Sequence, residues 1–141
     1  MDNLDMSRYS KSTGQLTRAE QTIPLGSQTF SKSRTQYPVG ISPLYAAKAR
    51  GAEIWDIDGN RYIDLVSALA SVTLGYGDKD VERAVRKQLK RGVSMSLPGF
   101  LESEVAELIV EMVPSAEMVR FGKNGTDATS AAIRLARAYT G

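Results

Sequence analysis

Apolar residues recur at helical spacing in three segments of the second half of the chain. The first segment begins after Asp78, a typical N-cap residue, and its apolar face consists of Val81, Ala84, Val85 and Leu89. Acidic residues lie early in this segment and basic residues lie late, as the helix dipole favours. Gly92 is expected to end this helix.

The two other segments follow the same spacing. One begins around Pro98, which suits a first helical turn, and ends at Pro114. The other follows a glycine-containing turn at residues 122–125, and its apolar face consists of Ala128, Ala131, Ala132, Leu135, Ala136 and Tyr139. Because most of these side chains are small, we expect this third helix to lie close against a sheet.

Short apolar runs predict three strands. Residues 53–57 and 61–65 flank an Asp-Gly-Asn turn that tolerates positive φ, so these two runs predict a β-hairpin. Trp55 and Tyr62 are expected to pack as cross-strand partners. Residues 118–121 predict a further short strand, which leads through the glycine-containing turn into the third helix.

The beginning of the chain shows a different pattern. Residues 1–37 are polar, rich in Ser, Thr, Lys and Arg, and without a sustained apolar period, so they predict an arm that orders against another surface. Residues around Pro38 and Pro43 favour an extended connector. The chain therefore divides into an arm at 1–37, a hairpin with helices at 38–117, and a strand–turn–helix part at 118–141.

Composition excludes several kinds of chemistry. The 141 residues include no cysteine and no histidine, so disulfides, cysteine- or histidine-based zinc sites and Ser-His-Asp or Cys-His nucleophiles are impossible within this chain. A net charge of +2 is too small to indicate a nucleic-acid-binding surface. Because neither a signal peptide nor an apolar stretch of roughly 20 residues is present, we expect a soluble, cytoplasmic protein that enters no membrane.

The turn at Asn124, Gly125 and Thr126 is the strongest candidate for a binding site. The first N–H groups of a helix have no partner within the helix, and the helix dipole adds positive charge there, so a phosphate is a natural ligand. Gly125 allows close approach, while Thr126 and Asn124 add side-chain donors. The same residues also fit a plain capped turn with Thr126 as N-cap, which Asp127 in the first turn favours.

Other polar clusters have structural interpretations. Asp56, Asp58 and Asp64 could suggest a metal site, but they do not follow EF-hand order and are expected to be turn and edge residues. The basic residues of the first helix could bind a polyanion, yet a solvated helix face is the simpler interpretation. No metal site is therefore predicted.

Four motifs, in order, resemble the class III pyridoxal-phosphate-dependent aminotransferases, a group similar to the glutamate-1-semialdehyde aminomutases. Residues 121–141, F-G-K-N-G-T-D-A-T-S-A-A-I-R-L-A-R-A-Y-T-G, resemble the family's F-x-N-S-G-T-E-A segment and the helix after it. Residues 51–64, G-A-E-I-W-D-I-D-G-N-R-Y-I-D, resemble its early hairpin. Residues 74–77, L-G-Y-G, and the helix at 102–114 resemble the intervening segments.

The resemblance implies an α/β fold: the N-terminal portion of the fold-type-I pyridoxal 5'-phosphate (PLP) transferase fold, with a small-domain hairpin region followed by the start of the large PLP-binding domain at 118–141. It also implies that Asn124, Gly125 and Thr126 bind the cofactor phosphate, although Asn124 replaces a serine. Ser67 and Ser71 fall in a stretch that lines the substrate side.

For function, the resemblance implies transfer of an amino group between a small-molecule amino donor and a carbonyl acceptor, by an enzyme that is a homodimer when complete. The lysine that bonds to the cofactor lies beyond the matched segment, so no catalytic residue is assigned and this chain alone is expected to be inactive. Two alternatives stay open. One is an aminomutase-like isomerase, although Ala-Leu-Ala at 68–70 replaces a Ser-Trp-Gly run, and the other is a non-catalytic phosphate-binding remnant.

Overall fold

The computed structural model describes residues 6–141, which form two compact units at 6–91 and 92–141. The first unit contains three short 3-10 helices, at Met6–Tyr9, Pro24–Gly26 and Phe30–Lys32. Its other elements are α1 (Ser10–Ala19), β1 (Ala46–Arg50), β2 (Glu53–Asp56), β3 (Arg61–Ile63), a four-residue helical turn α2 (Ser67–Ala70) and α3 (Lys79–Leu89). The second unit contains α4 (Phe100–Met112) and α5 (Gly125–Thr140).

The predicted hairpin is confirmed, but its register differs from the expected pairing. Strands β2 and β3 are antiparallel, with Ile54 opposite Tyr62 and Trp55 opposite Arg61. Because directly opposed residues point to the same face, Trp55 and Tyr62 lie on opposite faces of the sheet and are not packing partners. The partner of Trp55 is instead Lys48 on the neighbouring strand, whose Nζ lies 4.6 Å from the ring centroid.

Strand β1 was not predicted. Its sequence, Ala-Ala-Lys-Ala-Arg, consists of residues that favour helices over strands. It pairs antiparallel with β2 and completes a sheet of order β1-β2-β3, with an irregularity between Ala46 and Lys48. Pairing with β2 therefore overrides the local preference of these residues.

Helix α1 was also missed, because residues 10–19 lie in the segment interpreted as an arm without periodicity. Its N-cap position, Tyr9, makes no side-chain capping bond. The cap comes from Asp58 in the hairpin turn, whose carboxylate accepts hydrogen bonds from the N–H groups of Lys11 and Ser12 at 2.7 and 3.0 Å. The arm thus orders against the hairpin of its own chain.

The three predicted helices of the second half are confirmed as α3, α4 and α5. Asp78 caps α3 by accepting hydrogen bonds from the N–H groups of Asp80 and Val81, each at 3.0 Å. Helix α4 starts two residues after Pro98 and ends before Pro114.

Two expectations around α5 are wrong. Residues 118–121 form no strand, because no described strand lies in residues 92–141 to supply the hydrogen bonds that a strand requires. For the same reason the alanine face of α5 packs against no sheet within this unit. No residue of α5 is buried.

A buried carboxylate holds the hairpin turn. Asp56 is only 3% exposed, and its oxygens accept hydrogen bonds from the backbone N–H and side-chain amide of Asn60 at 2.8 and 2.9 Å. The hydroxyl of Tyr62 donates to the same carboxylate at 3.0 Å. Tyr9, 5% exposed, lies beside this group, with its hydroxyl 3.3 Å from that of Tyr62. Burial, followed by these hydrogen bonds, raises the pKa of Tyr62 well above its ordinary value.

No described helix is long and apolar enough to cross a bilayer.

Replacing Tyr62 with phenylalanine should destabilise the first unit by about 1–2 kcal/mol, because the charged Asp56 then loses one of its donors. Chemical denaturation followed by circular dichroism measures this difference. Tyr139→Phe is the control, because Tyr139 is 90% exposed and its hydroxyl makes no hydrogen bond to the described residues. Equal midpoints for the two variants would show that the carboxylate does not depend on Tyr62.

Candidate functional site

The predicted phosphate turn lies at the N-terminus of α5. Asn124, with an extended backbone (φ −122°, ψ 159°), is the N-cap of this helix. The capped-turn interpretation with Thr126 as N-cap is therefore wrong, because Thr126 already lies within the first helical turn. The carbonyl of Asn124 accepts hydrogen bonds from the N–H groups of Asp127 and Ala128, at 3.1 and 3.3 Å.

Several donors at this turn lack an acceptor among the described residues. They are the N–H groups of Gly125 and Thr126 and the hydroxyl of Thr126. The side chain of Asn124 makes no capping hydrogen bond. A Cβ added at Gly125 would meet nothing within 4 Å, so the space over this residue is open. Exposed donors at the positive end of a helix dipole fit an anion such as a phosphate.

Asp127 has a defined structural role in this turn. Its carboxylate accepts a hydrogen bond from the N–H of Asn124 at 2.9 Å. The turn closes tightly behind it, since a Cβ added at Gly122 would lie 3.2 Å from the Cβ of Asp127. The acid therefore fixes the turn from within and leaves the N–H groups of Gly125 and Thr126 unsatisfied.

The N-terminus of α4 shows what distinguishes α5. Gly99 is its N-cap without a side-chain cap, and the N–H of Gly99 donates to Glu102 at 3.2 Å. The first residues of α4 are Phe100 and Leu101, whose side chains carry no donors. Open N–H groups thus occur at both helices, and only α5 combines them with a hydroxyl, an amide and a residue without a Cβ.

Ser67 and Ser71 lie in a loop of the first unit, residues 64–76, whose two ends are joined by hydrogen bonds and which we call the closed loop. Asp64 accepts hydrogen bonds from the N–H groups of Val66 and Ser67, at 2.9 and 3.2 Å, and from the hydroxyl of Tyr76 at 2.6 Å. Tyr76 also forms an isolated antiparallel bridge with Gly51, through N–H···O bonds of 2.8 and 2.9 Å.

Glycine is required where this loop closes. Gly75 has φ +90°, and a Cβ there would lie 3.2 Å from the carbonyl oxygen of Gly51. Within the loop, four consecutive non-glycine residues, Ser67 to Ala70, have positive φ between 49° and 67°. Such a run is rare for residues with a Cβ and persists where the surroundings fix it.

The two serines have different environments. Ser67 is half-buried, and its N–H is held by Asp64. Ser71 is exposed, and its hydroxyl donates to the carbonyl of Ala68 at 2.8 Å. The fold therefore brings Ser67 and Ser71 into one loop, and it places Asn124, Gly125 and Thr126 in the other compact unit.

Sequence reasoning missed the group that shapes the loop, namely Asp64, Tyr76 and Gly75. Asp64 appeared only as an edge residue of the hairpin, and Tyr76 and Gly75 only as part of a family-like turn. The signal that was available is a carboxylate at the end of a strand, followed by residues with free N–H groups, which is a common turn arrangement.

The three hairpin acids act as hydrogen-bond acceptors. No group of three or more His, Cys, Asp or Glu residues between residues 6 and 141 is placed to hold a metal ion. The basic face of α3 is exposed, and two of its arginines form ion pairs with acids of the same helix, Arg83 with Asp80 at 3.0 Å and Arg86 with Glu82 at 3.2 Å. This arrangement agrees with a solvated helix face.

Comparison with known families identifies the chain. The sequence profile of the family described as aminotransferase class-III matches residues 36–141. The chain belongs to this family. The class-III match covers the hairpin, the closed loop and the turn at the start of α5.

Curated relatives of this class-III chain are named glutamate-1-semialdehyde 2,1-aminomutase. The protein of Chloroflexus aggregans is 43% identical over 134 residues, which make up 95% of this chain and 30% of the relative. That of Cytophaga hutchinsonii is 45% identical over 130 residues, or 92% of this chain and 30% of the relative. The chain spans about 30% of the length of these relatives.

Solved structures confirm the predicted fold class, the N-terminal portion of the fold-type-I PLP-dependent transferase fold. An omega-transaminase from Sphaerobacter thermophilus matches with a TM-score of 0.80 and 38% identity, over 94% of this chain and 30% of its own. The FumI protein of Sphingopyxis sp. MTA144, solved in its PLP internal aldimine form, matches with a TM-score of 0.84 and 37% identity, over 93% and 31%. PLP is thus the cofactor of the family, as the resemblance implied.

The closed loop yields a pH-dependent prediction. The hydrogen bond from Tyr76, opposed by burial and assisted by the N–H groups of Val66 and Ser67, holds the pKa of Asp64 below its ordinary value. Ionised Asp64 therefore stabilises the fold above the ordinary carboxyl range, and this contribution is lost as pH falls through the lowered pKa.

Tyr76→Phe should raise the pKa of Asp64 towards its ordinary value, and a carbon-13 NMR titration of the carboxyl group measures the change. Tyr45→Phe is the control, because the hydroxyl of Tyr45 donates to the carbonyl of Gly26 and not to Asp64. An unchanged Asp64 pKa in the Tyr76 variant would contradict the assigned cause.

Proposed function

We propose that this chain supplies the cofactor-phosphate site of a PLP-dependent class III aminotransferase, with the phosphate bound by Asn124, Gly125 and Thr126. The observation that carries the proposal is the set of unsatisfied donors at the N-terminus of α5. This helix start combines two open N–H groups, a free hydroxyl and a residue without a Cβ.

Each residue contributes a different part of the grip. The N–H groups of Gly125 and Thr126 donate to phosphate oxygens, and the Thr126 hydroxyl adds a third donor. Gly125 leaves room for the anion to approach the backbone. The side chain of Asn124 makes no capping hydrogen bond, so its amide is available as a further donor.

The bound cofactor would supply an electron sink for chemistry at the carbon that bears the amino group of the substrate. The task of this chain in that chemistry is to hold the phosphate end of the cofactor at a fixed helix terminus. Ser67 and Ser71 are proposed to contact the substrate, since the loop that carries them is closed by Asp64 and Tyr76 and presents hydroxyl groups from a defined backbone.

For the whole protein we propose transfer of an amino group between a small-molecule donor and a carbonyl acceptor, in a cytoplasmic homodimer. The similarity to omega-transaminase structures supports transamination. A glutamate-1-semialdehyde aminomutase activity is the second candidate, because the curated relatives at 40–45% identity carry that name. Transamination is preferred, since the loop has Ala-Leu-Ala at 68–70, where aminomutases tend to have a Ser-Trp-Gly run.

The chain alone is proposed to bind phosphate without completing the reaction. Lys123 is the lysine nearest in sequence to the phosphate turn, and a lysine there would lie at the phosphate end of the cofactor, away from the carbon that reacts. The third alternative, a non-catalytic phosphate-binding remnant, makes the same prediction for these 141 residues. Assay of a longer protein that includes the missing lysine distinguishes the two.

Thr126→Val should weaken binding of PLP by about 10-fold or more, because one hydrogen bond to a charged oxygen is lost. Isothermal titration calorimetry with PLP, and with pyridoxal as the ligand without phosphate, measures the effect. Thr129→Val is the matched control, since the hydroxyl of Thr129 already donates to the carbonyl of Thr126 at 3.2 Å. If both variants bind like the original chain, the hydroxyl of Thr126 has no part in the site.

Incubation of the chain with PLP, followed by borohydride reduction and peptide mapping, should yield no lysine labelled specifically and stoichiometrically. The physical reason is that a phosphate bound at Gly125 and Thr126 would put Lys123 at the phosphate end of the cofactor, away from the carbon that reacts. Reduction at several lysines in small amounts is the expected background. One lysine labelled to near completion would show that the catalytic lysine is present after all.

A further inference from the structure

Within the N-terminal arm, residues 6–37, helix α1 contacts the 3-10 helices that precede and follow it. Leu16 lies against Gly26, where an added Cβ would come within 2.5 Å of Leu16 Cδ1, and the φ of +70° at Gly26 also favours glycine. Glu20 at the end of α1 forms an ion pair with Arg34. These contacts join α1 to the segment that follows it.

The arm is attached to the hairpin and to the start of β1 by several polar contacts. They include the paired hydroxyls of Tyr9 and Tyr62, the Arg8 guanidinium over the Tyr62 ring, and the hydrogen bond from the Tyr45 hydroxyl to the Gly26 carbonyl. The carboxylate of Asp58 accepts hydrogen bonds from Lys11 N–H, Ser12 N–H and the Ser12 hydroxyl, at 2.7, 3.0 and 2.5 Å. Ser12 is completely buried at this contact. The side-chain amide of Asn60 adds one bond, to the carbonyl of Arg8 at 3.2 Å.

The far end of the arm borders a cleft of about 720 Å³ that residues of β1, β2 and β3 also line. Ser31, Lys32 and Tyr37 line one side of this cleft. Residues of the closed loop, including Ala68 and Leu69, also line it. The arm that contains α1 therefore supplies part of the lining of a cleft that the loop with Ser67 and Ser71 also lines.

We propose that Asp58 is a positioning residue, which docks α1 onto the hairpin turn and thereby sets the wall that Ser31, Lys32 and Tyr37 contribute to the cleft. A wall in this position would also limit how a substrate reaches the loop at Ser67–Ser71, and that consequence rests on the proposed function of the loop. The positioning itself does not, because it concerns residues 6–76 alone.

Charge explains why an aspartate serves here. An anion at the N-terminus of α1 interacts favourably with the helix dipole and with unpaired N–H groups. Burial opposes ionisation of Asp58, but the hydrogen bonds from Ser12 and Lys11 and the charge of Lys11 outweigh it, so the pKa of Asp58 lies below its ordinary value. The arm should therefore stay docked above the ordinary carboxyl range and release as pH falls through this lowered pKa.

The other ionisable groups near this contact have partners of their own. Arg8 places its guanidinium over the rings of Tyr9 and Tyr62, at 5.3 and 5.8 Å. Asp56 is held by Asn60 and Tyr62. Among the charged side chains of residues 6–141, Lys11 alone acts on the charge of Asp58.

The test compares Asp58→Asn and Ser12→Ala in the full 141-residue chain, by amide NMR and hydrogen exchange. Asp58→Asn should reduce protection of the Lys11 and Ser12 amides by about tenfold, as loss of a charged cap does, and Ser12→Ala should reduce it less. Both variants should shift the amide signals of Ser31, Lys32 and Tyr37 in the same direction from their positions in the original chain, with the larger shift in Asp58→Asn.

Asp78→Asn is the matched control, because Asp78 caps α3 in the same unit through two N–H bonds and makes no hydrogen bond or ion pair with arm residues 6–37. It should leave the signals of Ser31, Lys32 and Tyr37 unchanged. Lowering the pH should move those signals in the original chain towards their positions in Asp58→Asn, and the variant should lack this pH step.

Three results would overturn the proposal. They are signal changes in Asp58→Asn confined to the turn and α1, an equal loss of protection at the hairpin amides, or a pH step that survives in the variant. If Asp58→Asn fails to fold, Ser12→Ala decides the question through the signals of Ser31, Lys32 and Tyr37. PLP binding at Gly125 and Thr126 is a separate measurement on the other unit, so either proposal can fail while the other stands.

Discussion

The carboxylate of Asp56, buried under the hairpin turn, is the constraint on which the first unit depends. It fixes Asn60 and Tyr62 relative to strand β2, and so it sets the shape of the turn between the strands. That turn then presents Asp58 to the arm and Asn60 to the carbonyl of Arg8. The turn that this buried carboxylate holds thus carries Asp58, the cap of helix α1.

The helix N-termini of this chain divide into closed and open ends. Asp58 closes α1 from a distance and Asp78 closes α3 locally, in both cases with a carboxylate on the first N–H groups. At α5 the acid of the first turn, Asp127, is directed to the N–H of Asn124 instead. Of the two open ends, α4 and α5, that of α5 resembles the phosphate turn of a PLP-dependent family, and this resemblance gives the functional proposal its physical content.

Features with local signals could be predicted from the sequence, and features that depend on distant partners could not. The caps and prolines around α3 and α4 lie next to their helices, so the boundaries followed from neighbouring residues. Helix α1 was missed because its cap is Asp58, and β1 because Ala-Lys-Ala-Arg forms a strand only beside β2. The sequence predicted that residues 124–126 lie at a helix start. Which of their N–H and O–H groups lack an acceptor depends on the three-dimensional structure and could not be predicted.

The central claim is that the open donors of α5 bind a phosphate. Amide NMR of the chain, titrated with PLP, inorganic phosphate and pyridoxal, tests it most directly. If α5 binds phosphate, the signals of Gly125 and Thr126 move with both phosphate-containing ligands and stay in place with pyridoxal, while those of Phe100 and Leu101 at the open end of α4 do not move. Signals of Gly125 and Thr126 that stay in place with phosphate, or equal movement at α4, would contradict it.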